Sequence, residues 1–274
     1  MSPISLFLLG MGTGTYGVIV GAGGGIVIVP LLLVFSDMQP QIVAGTSLAL
    51  VSVNSISGTL VYRRLGLIDY RSGFSFAVAA IPGSVIAPLV LKSVSADLFQ
   101  IIFGFLLIIT ATHILVYRRE QPGPSSDFDM PSPRNNAKRS IATSSGETFQ
   151  YGFNEPLAII FNVVLGFISA FFGTGGGFLR MPVLVAAFSF PVRIAAATSI
   201  FALSISASVG TLIHSFVGQV DWYPVFVWTG LGLLLGGQIG ARLAPIIKVA
   251  WIVRMLVLLL LAMGIRVIFQ GFWG

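Results

Sequence analysis

The chain has 274 residues, 55% of them hydrophobic and 9% charged, with a mean hydropathy of +0.96; soluble domains carry about 25% charged residues. A formal charge of +6 and a pI near 10.1 would suggest nucleic acid as the partner of a soluble protein, but Lys and Arg fall mostly between apolar stretches and near their ends, where the positive-inside rule accounts for them. The absence of cysteine excludes disulfides, thiolate metal sites and a sulfur relay through a protein thiol.

The first 20 residues lack a basic stretch ahead of the apolar run and a small-residue cleavage site, so they read as a retained membrane segment. Windows of about 20 apolar residues, the length that spans a bilayer as helix, fall at 3–35, 41–62, 71–91, 97–117, 156–188, 193–216, 222–243 and 249–269. The expected fold is an all-α, polytopic membrane protein of the cytoplasmic (inner) membrane. The first and fifth segments, at about 33 residues, would be about 50 Å long as single helices. Each is interrupted by glycines, at Gly21-Ala22-Gly23-Gly24-Gly25 and Gly173-Thr174-Gly175-Gly176-Gly177, so neither is expected to be one straight rod. Residues 118–152, rich in Pro, Ser, Asn and charge, read as an exposed, flexible linker on the cytoplasmic side.

The linker separates two repeats, 1–117 and 153–274. A gapless shift of 152 positions lays Gly21, Gly23, Gly24, Gly25 and Pro30 on Gly173, Gly175, Gly176, Gly177 and Pro182. It also lays Thr46-Ser47 on Thr198-Ser199, Gly58-Thr59 on Gly210-Thr211, Gly66 on Gly218 and Asp69 on Asp221. Chance likeness of apolar helices matches Leu, Val and Ala, not glycines and an aspartate in one register. Duplication of this kind is a common construction of secondary transporters.

Charge bears on how the halves are oriented. If each long segment enters, breaks and returns to the same side, 12 of the 15 basic residues collect on the linker side and Lys92 and Arg266 remain on the other. If each crosses fully, the split is 9 against 5, with Arg180 inside the membrane in both cases. The larger asymmetry favours re-entrant segments and inverted repeats.

A long apolar segment, G-x-G-G-G, a proline five residues on, a Thr-Ser pair in the next helix, and the whole pattern again in the second half resemble the TauE/SafE family of membrane proteins, named for sulfite export. The resemblance covers both halves and leaves out the linker. It implies a carrier for sulfite, a sulfonate or another small anion, and it alone supplies the outward direction. One position departs from the repeat: Ile28 corresponds to Arg180, so a single copy carries a cation.

Glycine runs at membrane depth free backbone groups that cannot face lipid. They read as half-helix junctions offering N–H groups and a positive N-terminus to an anion, at Gly23, Gly24, Gly25 and at Gly175, Gly176, Gly177; close packing through small residues is the alternative. Arg180, in an otherwise apolar stretch, is a functional candidate by default. All nine acids lie in expected loops or at segment ends, leaving Arg180 without a nearby carboxylate; contact with a bound anion is one reading, and snorkelling to the interface or pairing with carbonyls is the alternative. Thr46, Ser47, Thr198 and Ser199 can donate hydroxyl hydrogen bonds without adding charge. Asn54, its counterpart Ser206, and Gln238 are further polar candidates, explained as well by helix–helix bonding. His113 and His214 near segment ends read as interfacial, and no buried acid is expected to relay protons. No catalytic or metal-ligand constellation and no cofactor motif appears, so the rival readings are a passive anion channel and a non-transporting assembly partner. A homo-oligomer stays open, and the partners expected are a small anion and lipid, with no nucleic acid.

Overall fold

The structure, a computed structural model, describes residues 2–20, 24–36, 38–117, 137–144, 146–243 and 249–273. The described residues form ten α-helices and one hairpin. The first half contains α1 (Pro3–Val20), α2 (Gly25–Phe35), α3 (Pro40–Leu65), α4 (Tyr70–Leu91) and α5 (Ala96–Tyr117). After the hairpin β1 (Ala137–Ala142) and β2 (Thr148–Phe153) come α6 (Glu155–Phe172), α7 (Gly177–Ala186) and α8 (Val192–Phe216). An irregular turn, Trp222–Phe226, leads into α9 (Val227–Leu243), and α10 (Val249–Trp273) ends the chain. Among the described residues, α3, α4, α6 and α8 are each long and apolar enough to cross a membrane. Leu8, Phe74, Ile109, Ile160, Leu212 and Leu258 face outward, as only a lipid solvent rewards. The chain is an all-helical, multi-pass membrane protein.

Local chemistry sets the helix ends. Asp69 and Asn154 cap α4 and α6 by accepting from the N–H groups of Ser72 and Leu157, and proline opens α3, where its missing N–H has no helical partner to lose. The eight expected segments become ten helices because the first and fifth split at their glycines. The same shift of 152 positions that aligns the glycines carries the bounds of α1 onto those of α6, and Tyr70–Leu91 onto the turn and helix that end at Leu243.

The largest helix contacts join the two halves: α1 packs on α9, α4 on α6, α5 on α10 and α3 on α8. Small residues bring the backbones together. Gly232 and Gly236 abut the carbonyls of Phe7 and Met11, so α1 and α9 run parallel. The central helices α3 and α8 run antiparallel: Gly45 lies against Gln219 and His214, Ser52 Oγ is 3.2 Å from Ser208 Oγ, and Gly58 faces Ile200. In the same sense, Gly271 and Gly104 of α10 and α5 lie against Asp97 and Gly264 of the opposite helix.

The hairpin fixes which helix ends share a face. Arg139 bonds Glu155 at the start of α6, Tyr151 and Phe153 stack on Phe190 just past α7, and Glu147 meets Arg193 at the start of α8. Thus α6 leaves the hairpin face and α7 brings the chain back to it. On the opposite face, Gln41 at the start of α3 donates to the carbonyl of Val94, and the Arg266 guanidinium of α10 lies over the ring of Phe35, which ends α2.

Two expectations differ from what is built. Part of the stretch read as a flexible linker is an ordered hairpin, paired from Ala137↔Phe153 to Ala142↔Thr148; residues 118–136 lie outside the described residues. Asp69, expected with the other acids in a loop or at a segment end and not buried, does stand at the start of α4 but is buried, bonded by Ser72 and by Tyr151 Oη at 2.7 Å and 3.6 Å from Arg139 Nε. A short acid at a helix N-terminus is held there by donors, which sequence position alone does not reveal.

Candidate functional site

Both glycine runs break the backbone. Gly24 and Gly176 adopt left-handed conformations, φ 80° and φ 62°, which side chains disfavour by roughly 1–2 kcal/mol. Their carbonyls receive the first helical N–H groups, those of Val27 and Ile28 in α2 and of Leu179 and Arg180 in α7. Neither α2 nor α7 has a side-chain cap. The N–H groups ahead of those bonds, and the positive end of each short helix, point into the protein interior. Gly23 lies outside the described residues.

The two breaks touch. A Cβ on Gly25 would stand 2.5 Å from the Thr174 carbonyl and equally close to Val51, and one on Gly175 would stand 2.4 Å from Val51. Val51 of α3 thus sits between both runs, with its counterpart Leu203 of α8 also beside Gly175. No feature of the sequence singles out Val51 as a closing side chain.

Arg180 is 0% exposed. Its Nε donates to Asn162 Oδ1 at 2.7 Å and its Nη1 to the Ser199 carbonyl at 3.3 Å. Its Nη2 is buried with no hydrogen-bond partner among the described residues. Asn162, on α6, in turn donates to the Ala158 carbonyl, which fixes its oxygen toward the guanidinium. Asn162 is not among the sequence candidates; its signal there is an amide inside an apolar helix whose counterpart in the first half is Gly10. Ile28, the counterpart of Arg180, is equally buried, so the asymmetry of the repeat is an asymmetry of charge in the interior.

The Thr-Ser pairs divide their roles. Thr46 Oγ1 accepts the N–H of Asp221 at 2.9 Å and Thr198 Oγ1 that of Asp69 at 3.1 Å. Each threonine therefore holds the helix entry of the other half. Ser47 and Ser199 are buried with hydroxyls that find no partner among the described residues. Ser199 is also the residue whose carbonyl receives Arg180, so an unpaired guanidinium N–H pair and an unpaired hydroxyl belong to contacting residues. Asn54 is buried and hydrogen-bonded or otherwise engaged; Ser206 Oγ is buried without a partner among the described residues. Gln238 is exposed on α9. His214, expected at an interface, is 0% exposed, because α3 crosses α8 at Gly45 and covers the ring.

Such an arrangement is suited to a small anion. Two uncapped helix N-termini and one guanidinium are all positive, and among the described residues no carboxylate pairs with Arg180.

The chain is similar to known proteins over nearly its whole length. The family model described as sulfite exporter TauE/SafE matches residues 6–267. A probable membrane transporter protein of Bacillus subtilis, YunE, is 31% identical over 281 residues, covering 100% of both chains. A probable membrane transporter protein of Xylella fastidiosa is 26% identical over 92% of this chain and 90% of its own. Another, of Methanocaldococcus jannaschii, is 24% identical over 87% of this chain and 85% of its own. No solved structure matches.

Proposed function

This chain belongs to the sulfite exporter TauE/SafE family, and on that premise we propose that it is a secondary transporter carrying a small anion, sulfite or an organosulfonate, outward across the cytoplasmic membrane by alternating access. The observation that carries the reading is Arg180: a fully buried cation without a carboxylate, one of whose nitrogens is unpaired. Burying such a charge costs roughly 2.5–3.5 kcal/mol on insertion scales, and an anion seated on Nη2, the Ser199 hydroxyl and the open N–H groups of α7 offsets it. Gly175, Gly176 and Gly177 supply that backbone; Gly24 and Gly25, with Ser47, supply the matching surface of the other half.

The halves 1–117 and 153–274 act as inverted repeats. The antiparallel crossings of α3 on α8 and of α5 on α10 support this, since equivalent helices can run opposite ways only if the halves are inverted. The hairpin face, with Arg63, Arg64, Arg71, Lys138, Arg139 and Arg193 in or beside it, is the cytoplasmic one. Val51 and Leu203 pack against the breaks in the present conformation, and rocking of one half against the other opens the site to one face or the other.

Flux measurements in proteoliposomes with sulfite, sulfonates, thiosulfate and carboxylates test the proposal. Saturable flux of at least one of these anions is expected. Conductance far above carrier turnover makes the protein a channel instead, and no flux of any anion by the purified chain leaves it an assembly partner.

A further inference from the structure

We propose that His214 is a proton-binding site whose occupancy decides whether the end of α8 is tied to α4. The ring is fully buried, and both of its nitrogens face oxygen: Nδ1 lies 2.7 Å from Gln219 Oε1 and Nε2 lies 3.0 Å from the carbonyl of Ala170. The orientation of the Gln219 amide is set from its other side, where Nε2 donates to the Pro88 carbonyl at 3.3 Å. Neither carbonyl has its ordinary helical donor. Ala170 belongs to the last turn of α6, whose continuation is the glycine break, and the N–H of Lys92 that would reach Pro88 turns instead to Val90.

A neutral imidazole has one N–H and one lone pair, whereas an imidazolium has two N–H groups. Only the protonated ring satisfies both oxygens while Gln219 keeps its bond to Pro88. When the proton leaves Nδ1, a lone pair is set against Gln219 Oε1 at 2.7 Å. The repulsion is relieved by turning the amide over, so that Gln219 Nε2 donates to Nδ1. Its oxygen then faces the Pro88 carbonyl, and the tie to α4 is lost. The ring keeps its Nε2–H bond to Ala170 in both states. Proton binding is thus converted into a contact between α8 and α4 beside the start of the break, three residues before Gly173.

Among the described residues, no second ionisable group is bonded to this switch. The ring meets Gly45 from α3, the Ala170 carbonyl from α6 and the Gln219 side chain just past α8, and Gln219 in turn meets the Pro88 carbonyl of α4. Among the described residues no carboxylate forms an ion pair with it. The nearest titratable groups along these elements, Asp221 and Lys92, have no bond to the ring. His214 and Gln219 lie toward the face opposite the hairpin.

The reading does not depend on which solute is carried, and its test needs none. Protein labelled with 15N at histidine and glutamine, placed in nanodiscs in a His113→Gln background so that one imidazole is observed, is titrated from about pH 5 to about pH 9, the range that brackets histidine. The expected result is an imidazole that passes from the doubly protonated to the Nε2–H form, with the Gln219 side-chain amide signal moving at the same midpoint. Gln219→Leu should change the ring's midpoint, and His214→Asn should hold the Gln219 signal still at every pH. A Gln219 signal that ignores the histidine transition, a ring locked in one form throughout, or an unchanged midpoint in Gln219→Leu overturns the proposal.

Discussion

Thr46 and Thr198 illustrate what a residue pattern reveals and what it withholds. Their repetition in register marks them out, yet the partners that engage them, Asp221 and Asp69, lie 175 and 129 positions away and only the fold brings them near. Both hydroxyls accept a backbone N–H from the opposite half. Thr46→Val and Thr198→Val keep the shape and orphan those N–H groups, so each should cost about 1–3 kcal/mol, more for Thr198, whose bond is fully buried. Thermal unfolding in detergent reads this loss; an unchanged transition in both variants would show that water replaces the hydroxyl. Arg180 was conspicuous in the sequence because charge inside an apolar stretch is rare. Asn162 and the buried state of His214 were not, because an amide or imidazole in a helix gives no sign of whether it faces protein or lipid.

At the scale of elements, the glycine breaks were legible because consecutive glycines have a local conformational consequence, and the bounds of α2 and α7 follow from it directly. The hairpin was not. Its composition is polar, and the alternation of Phe149, Tyr151 and Phe153 on one strand face, a period-two signal, is short enough to be lost among prolines and serines. Tyr151 and Phe153 pack on Phe190, and Phe153 on Phe76 as well, and Tyr151 donates to the buried Asp69. Burial first, then the neighbouring Asp69 charge and their hydrogen bond, push the Tyr151 phenol well above its ordinary range. A phenol that ionises later when folded than when unfolded contributes stability that is complete below the unfolded value of about 10 and is lost as pH rises beyond it. Tyr151→Phe should weaken hairpin docking by about 1.5–3 kcal/mol, the scale of a hydrogen bond to a charged group, and should flatten the alkaline loss. Amide exchange of residues 137–153 across pH checks both, and equal protection in wild type and variant would contradict them.

For the molecule as a whole, charge asymmetry alone pointed to inverted halves, and it could do so because the basic residues cluster between helices rather than within them. The packing of α3 against α8 supplies an argument that sequence could not, since antiparallel contact is a property of the folded chain. The account predicts that the hairpin and the α3–α4 turn share one side of the membrane, and the α4–α5 and α8–α9 turns the other. Absence of native cysteine makes this directly measurable. Single cysteines at Ser140 and Ser144 should be labelled by an impermeant thiol reagent only from the cytoplasmic side, and those at Ser95 and Gly218 only from outside. Labelling of Ser95 and Ser140 from the same side would contradict the arrangement.

On this reading the anion is seated by the buried guanidinium of Arg180, on the helix that follows the second glycine break. Equilibrium binding of sulfite to the purified protein, compared with Arg180→Gln, tests it most directly. Loss of one charge-assisted contact worth about 1.5–3 kcal/mol corresponds to affinity weakened about 10- to 150-fold, with Arg180→Lys retaining part of it. Equal affinity of wild type and Arg180→Gln, in a variant whose unfolding transition shows it to be intact, would contradict the account.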